Sequence, residues 1–239
     1  MLMLPRAARL FAQVMLQDCQ LCGVSSAGTI CDVCKADLPI RLESGCKCCG
    51  QIGAMQSLEG ETCGDCQANI PHFDATKSAF SYSFPLDKLI QSFKFNANLS
   101  LAGLFVDQFV TLLKSGNNGA SAMPDIIIPM PLAKRRLAAR GFNQSALLAR
   151  DIGKKLAVKV ETRGLVRVRD TPPQAGLDRE ARRANMKGAF DCGQDLGGLR
   201  IAIVDDVMTT GATMSDAARA LKKQGVSHVE AWVIARASK

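Results

Sequence analysis

Apolar residues fall along this chain in two rhythms. Short unbroken runs, one within residues 125–132 (DIIIPMPL) and one from Ile201 to Val204, suit strands buried on both faces and are too short for helices. Val229 to Ala235 reads as the last strand, and Thr76 to Phe84 alternates loosely as a strand that stops at Pro85, a good first residue for a following helix. Elsewhere the spacing is helical. It predicts helices over Leu86 to Phe95, over Leu101 to Leu113, and over Phe142 to Leu156 with Phe142, Ala146, Ala149, Ile152 and Leu156 on one face. A further helix follows residue 213 through Met214, Ala217, Ala218 and Leu221, with Gly225 placed for a left-handed C-terminus. Strands alternating with helices predict an α/β domain built on a parallel sheet, with a boundary near Pro71.

The head of the chain follows a different pattern. Leu4, Ala8, Phe11 and Met15 lie on one face of an amphipathic helix that lacks the apolar core and cleavage site of a signal peptide, so it reads as a mature helix docked on the protein itself. No apolar run approaches the ~18 residues a bilayer-spanning helix needs, so the expectation is a cytoplasmic protein without a membrane span.

Ten cysteines are present, and eight form Cys-x-x-Cys pairs: Cys19 with Cys22, Cys31 with Cys34, Cys46 with Cys49, and Cys63 with Cys66. Each pair presents two sulfurs to one ion, and two pairs complete a Cys₄ site, so two structural zinc ions are expected in a double ribbon over residues 1–75. Without a signal peptide, a secreted disulfide framework or a redox centre fits these complete sets less well. Cys48 competes with Cys46 for one ligand position, and Cys-x-x-Cys spacing favours Cys46. Cys192 reads as a small buried hydrophobe, His72 as a surface or structural residue rather than a substitute metal ligand, and His228 as structural.

Charge separates the two parts. The net +8 comes from 30 basic and 22 acidic residues, yet residues 1–75 hold five basic against eight acidic, and residues 134–187 hold 15 basic against five acidic, a net +10. Eight thiolates and two zinc ions would take the head to a formal −7, ill suited to a phosphate backbone, so the ribbon is assigned to folding and to contact with a protein partner. The middle of the chain is where a polyanion would be drawn.

The chemistry is densest at residues 199–213, LRIAIVDDVMTTGAT. A loop at the C-terminal end of a parallel strand, opening a helix, points backbone N–H groups and the positive end of the helix dipole at one spot that suits a phosphate. Thr209, Thr210, Ala212 and Thr213 supply donors, and Gly211 lets the backbone come close. Asp205 and Asp206 would repel a phosphate, but suit ribose hydroxyls or a magnesium ion. The bland alternative is a capped turn ahead of an ordinary helix.

Lys134, Arg135, Arg136 and Arg140 crowd a loop beyond the PMPL strand and suit a diphosphate. Lys94 is either a further phosphate contact or a solvated lysine. Gly141 is expected to open the next helix. Residues 174–187 are cationic and poor in core residues, and read as a flap able to exclude water.

Residues 201–213 resemble the phosphoribosyl diphosphate (PRPP) motif of type I phosphoribosyltransferases. Paired cysteines followed by PMPL, RGFNQSALLA, TPPQAGLDREARRANMKGAF, IVDDVMTTGAT and AWVIARA resemble the ComF family, also called GntX, from about Cys19 to the C-terminus. The resemblance implies a type I phosphoribosyltransferase-like domain over residues 76–239 behind a small zinc-ribbon domain. It implies that Asp205 and Asp206 hold ribose hydroxyls and that the loop 209–213 holds the 5′-phosphate. Magnesium would accompany PRPP. Residues 140–144 would flank the active site, and Gln174, Arg182 and Asn185 would belong to the flap. FKFNAN departs from the family at the position where a glycine often follows the FK pair. The expected activity is phosphoribosyl transfer, a glycosyl transfer, to an acceptor the residues do not specify, with a setting in DNA uptake, processing of imported DNA or nucleotide metabolism. The competing expectation is a non-catalytic competence factor that holds single-stranded DNA on residues 134–187. Phe142 is the one aromatic interleaved with the cations there, which weakens base stacking but not phosphate tracking.

Overall fold

The computed structural model describes residues 16–41, 45–52, 62–115, 122–171 and 179–237. The expected N-terminal helix and Gln174 lie outside them. By internal contacts the chain divides into two compact units, Met1–Asp37 and Leu38–Lys239, a division that falls between the two cysteine sets rather than after both.

In the smaller unit, β1 (Gln17–Asp18) and β2 (Ser25–Ser26) form an antiparallel pair, followed by α1 (Asp32–Ala36). The larger unit opens with α2 (Gly64–Ala68), β3 (Ala75–Ser81), α3 (Leu86–Phe95), α4 (Leu101–Lys114) and β4 (Ile126–Pro129). It continues through α5 (Lys134–Arg140), α6 (Gln144–Leu156), β5 (Lys159–Val160), β6 (Val166–Arg167), α7 (Arg179–Met186) and β7 (Phe190–Asp191). The long strands β8 (Arg200–Met208) and β9 (His228–Arg236) flank α8 (Ala212–Lys222).

Five strands form one parallel sheet in the order β3-β9-β8-β4-β5. Side chains alternate across a strand. Ile201 and Ile203 of β8 therefore join Met214, Ala217 and Leu221 of α8 in one core, while α6 lies on β4 and β8 from the other face. There Phe93 meets Phe105 edge-on at 5.7 Å between centroids, and Phe109 meets Trp232 at 5.6 Å. The parallel sheet buried on both faces is what the continuous apolar runs require.

Three local expectations change. Residues 134–140, expected as a loop, form α5, because Lys, Arg, Leu and Ala are strong helix formers even without an apolar stripe, and no α5 residue is buried. Gly141 does not open the next helix; at φ 78° it ends α5, and α6 begins at Gln144 behind an Asn143 cap. The buried face of α6 runs through Ser145, Leu148, Ala149 and Ile152 rather than through Phe142, Ala146 and Leu156. In addition, β8 does not stop at the acidic pair but continues to Met208.

The stretch after α7 is fastened to α8 by one side chain. Buried Asp216 accepts from the backbone N–H of Gly188 (3.0 Å) and Ala189 (2.9 Å), and from Arg219 Nε (2.9 Å). Asp216→Ala takes the acceptor from the Gly188 N–H and the ion-pair partner from Arg219 and leaves the Ala189 N–H to Met186 O alone, and should lower unfolding free energy in urea by about 1–2 kcal/mol; an unchanged midpoint would contradict this anchoring role.

Candidate functional site

Register sets the site. Pro129, the last residue of β4, pairs with Val204, so Asp205 and Asp206 extend past the end of β4 while β9 still flanks Asp205 through Val233. The two carboxylates thus lie at the C-terminal edge of the sheet, where parallel α/β sheets bind ligands.

Four neighbours orient them. Ser145 Oγ donates to Asp205 Oδ1 at 2.9 Å, and the backbone N–H of Asp206 donates to the same oxygen at 2.9 Å. Lys94 Nζ lies 2.8 Å from Asp206 Oδ1. Asn143 caps α6 by accepting from Ser145 N–H at 3.0 Å, and its own Nδ2 donates to Met130 O at 3.0 Å. Gln144, fully buried, donates to Lys94 O at 3.3 Å and accepts from Arg140 Nη1 at 3.1 Å. The run RGFNQS is therefore a hub: Asn143 ties it to the end of β4, Gln144 to α3 and Arg140, and Ser145 to the carboxylate pair. Ser145 carries no distinguishing signal in the sequence, because a serine in a helical stretch is ordinary.

These groups surround a cleft of ≈ 210 Å³ lined by Lys94, Arg136, Arg140, Arg167, Asp205 and Asp206 together with Thr209 and Thr213. Beside it, residues 207–214 and Asp205 enclose a smaller recess of ≈ 40 Å³. Gly211, at φ 79°, turns the chain from β8 into the eleven-residue α8, whose first turn opens at this recess. Burial holds Arg140 below its ordinary value against the pull of Asp206, and its guanidinium sits 4.9 Å from the centre of the exposed Phe95 ring. Burial does the same to Arg167.

The remaining expected residues are distributed unevenly. Arg136 and Arg140, four apart on α5, line the cleft, whereas Lys134 and Arg135 are exposed and are not among its lining residues. Thr210, Gly211 and Ala212 line the recess. Asn185 is half-buried, and its carbonyl accepts from Arg169 at 2.8 Å. The side chain of Arg182, within α7, lies outside the described residues. Arg167 joins the cleft although no motif in the sequence marks it.

Each cysteine set gathers into a cluster able to hold a metal ion. In the smaller unit the sulfurs of Cys19, Cys22, Cys31 and Cys34 lie within 4.8 Å of one another, and in the larger unit those of Cys46, Cys49, Cys63 and Cys66 do so. Cys48 packs beside the second set without joining it: its Sγ lies 3.4 Å from Phe73 O, and burial pushes its thiol up to about 12. Buried Cys192 has its Sγ 3.5 Å from Gln194 O. His72 is exposed and gives a backbone N–H to Ser215 Oγ at 3.1 Å, while His228 lies beside Asp74 and Glu230.

Burial, and then the like charge of Asp206, push the Asp205 carboxyl from 3.8 up to about 7 against Lys94 and its two hydrogen bonds. The folded protein thus holds this proton more tightly than the unfolded chain, and stability declines as pH rises from about 4 to about 7 and then levels off. Asp205→Asn removes this titration, so it should stabilise the protein at about pH 8 relative to wild type and lose that advantage near pH 4. Urea unfolding at both pH values checks this, and an equal shift at both would contradict it.

Residues 143–239 match the phosphoribosyl transferase domain family. The chain is 33% identical over 222 residues to DNA utilization protein YhgH of Salmonella typhimurium, covering 91% of this chain and 96% of that protein. Over 224 residues it is 32% identical to Competence protein F of Haemophilus influenzae, covering 87% and 96%, and over 206 residues 24% identical to ComFC of Bacillus subtilis, covering 82% and 79%. With a phosphoribosyltransferase domain on a parallel five-stranded sheet, and with near full-length likeness to these proteins, the chain belongs to the ComF family.

Proposed function

We propose that the cleft binds PRPP with magnesium and transfers its phosphoribosyl group to a nucleophilic acceptor. One observation carries this reading: a carboxylate pair at a strand end lines one cleft with Lys94, Arg136 and Arg140, and the Thr-Gly loop joins that cleft through Thr209 and Thr213 and forms the adjoining recess. That arrangement offers groups for hydroxyls and for two kinds of phosphate, as a phosphorylated ribose bearing a diphosphate needs.

The ionised carboxylates of Asp205 and Asp206 accept hydrogen bonds from the ribose hydroxyls. Backbone N–H groups and hydroxyls of residues 209–213 hold the 5′-phosphate, with the α8 dipole adding to the attraction. As the C1–O bond breaks, its electron pair leaves on the diphosphate, and Lys94, Arg136 and Arg140 stabilise the charge that builds there. The acceptor nucleophile bonds to C1 and gives up a proton. Magnesium, when bound, would neutralise diphosphate charge, and Asp205 and Asp206 are the oxygen ligands available to it directly or through the ribose. Residues 174–187 would close over the site and exclude water.

The cysteine sets fit zinc. Four sulfurs at Zn–S distances of about 2.3 Å stand about 3.8 Å apart on a tetrahedron. Cys22 and Cys31 lie 3.7 Å apart, and Cys49 and Cys63 lie 3.8 Å apart. The names of the relatives, DNA utilization protein and competence protein, support a setting in DNA utilization; the cytoplasm as compartment and a protein partner for the zinc-bearing head belong to the same proposal. A second reading, single-stranded DNA held on residues 134–187, is favoured by α5, where Lys134 and Arg135 stand exposed outside the cleft lining.

Calorimetric titration of PRPP with magnesium into zinc-loaded protein should give micromolar binding. Asp205→Ala/Asp206→Ala should weaken it by about 100-fold or more, the scale of losing several charge-assisted hydrogen bonds. Absence of binding at millimolar PRPP would overturn the reading and leave DNA on the basic segment as the alternative.

A further inference from the structure

The loop that opens α8 is held from both ends by the segment that carries the second cysteine set. Arg236, the last residue of β9 and 3% exposed, reaches two places at once. Its Nε donates to Cys49 O at 2.8 Å, while Nη1 donates to Met208 O at 3.1 Å, to Ala237 O at 2.7 Å and to Thr209 O. Met208, which the sheet ladder still pairs with Arg236, and Thr209 are where β8 gives way to the loop. A strand end leaves carbonyls unpaired, and in a buried setting each must find a donor. Met208 O accepts from the Ala237 N–H at 3.0 Å, and Arg236 adds a second donor there and reaches Thr209 O as well.

The far side of the loop has a second tether. Phe73 lies against Gly211, where an added Cβ would stand 3.5 Å from the ring. The Phe73 carbonyl faces Cys48 Sγ at 3.4 Å, the neighbouring His72 N–H donates to Ser215 Oγ of α8, and Thr76 Oγ1 donates to Cys48 O at 2.7 Å. Cys48 and Cys49 themselves pack against the core that includes Met208, Ala212 and Met214. The turn carrying Cys46 and Cys49 therefore sets the position of the loop's start through Arg236 and of its glycine through Phe73.

Four thiolates gathered without an ion repel one another, so the turn keeps this shape best with a cation at its centre. Four thiolates on a divalent ion carry a net charge of −2, and the buried guanidinium of Arg236 is their neighbouring cation.

We propose that Arg236 is a positioning residue that ties the Cys46, Cys49, Cys63 and Cys66 set to the loop 209–213, so that filling this set with metal raises affinity for a ribose phosphate. The choice of ribose phosphate as ligand rests on the function proposed above; the tie itself does not. Arg236 touches no expected ligand position and acts through the carbonyls of Met208 and Thr209.

Three proteins test this: Arg236→Met, which keeps the bulk and loses every donor, Arg236→Lys, which restores charge and part of the hydrogen bonding, and Cys63→Ser, which empties the set. Zinc per chain, amide hydrogen exchange and PRPP affinity by calorimetry are read for each. Arg236→Met should speed exchange over residues 208–214 and raise the Kd for PRPP by about tenfold, with zinc content unchanged and the amides of β4 still protected as proof of folding. Arg236→Lys should recover part of both effects. Cys63→Ser should lose one zinc and show the same loosening of residues 208–214. If PRPP fails to bind the wild-type protein, the ribose-phosphate reading fails, and the exchange measurements still decide the tie. Unaltered exchange over residues 208–214 in Arg236→Met and in Cys63→Ser would overturn the proposal.

Discussion

Two successive carboxylates at the edge of a buried sheet repel one another, and the site depends on how that repulsion is balanced. Lys94 lies 2.8 Å from Asp206, while Ser145 and a backbone N–H share one oxygen of Asp205. These contacts come from three separate stretches of chain, and RGFNQS is where they meet. Gln144 holds the Lys94 backbone, and Asn143 holds the start of α6 to the end of β4. The balance is incomplete, since burial still raises Asp205 well above an ordinary aspartate. A protein selected for stability alone would place a neutral residue there. If the cleft binds PRPP, the carboxylate is kept because its charge is needed by the ligand, whose hydroxyls and metal ion complete what Lys94 and Ser145 begin.

The same logic extends outward. Cations at Lys94, Arg136, Arg140 and Arg167 share one cleft, and burial lowers Arg140 and Arg167 while Asp206 and Asp205 pull back the first and Asp170 and Asp205 the second. Such a cleft holds an anion better than it holds itself empty. The adjacent recess at 207–214 shares Asp205, Val207, Thr209 and Thr213 with this cleft and adds Thr210, Gly211 and Ala212. Arg236 and Phe73 connect this machinery to a cysteine cluster that takes no part in the chemistry.

Much of this is legible in the sequence, for reasons that differ by residue. The strand, acidic pair, loop and helix of residues 201–221 are consecutive, so their chemistry and their geometry are read from one stretch; helices over 86–95 and 101–113 likewise declare themselves by apolar spacing. The segment 134–140 misleads because a short helix with no buried face has no periodicity to show, and its glycine resembles a helix start when it is a stop. Ser145 and Arg236 are invisible for another reason. Their roles come from partners 60 and 27 to 187 positions away, and only the folded sheet brings those together. Lys94 lies between these cases: its type suggests a phosphate contact, while the structure finds it on Asp206.

A crystal structure of the zinc-loaded protein with PRPP and magnesium would decide whether the carboxylate pair serves a phosphorylated ribose. Ribose hydroxyls are expected on Asp205 and Asp206, the 5′-phosphate on residues 209–213, and the diphosphate facing Lys94, Arg136 and Arg140. Density for PRPP on the outer face of α5, with the carboxylate pair still closed on Lys94 and Ser145, would contradict that role.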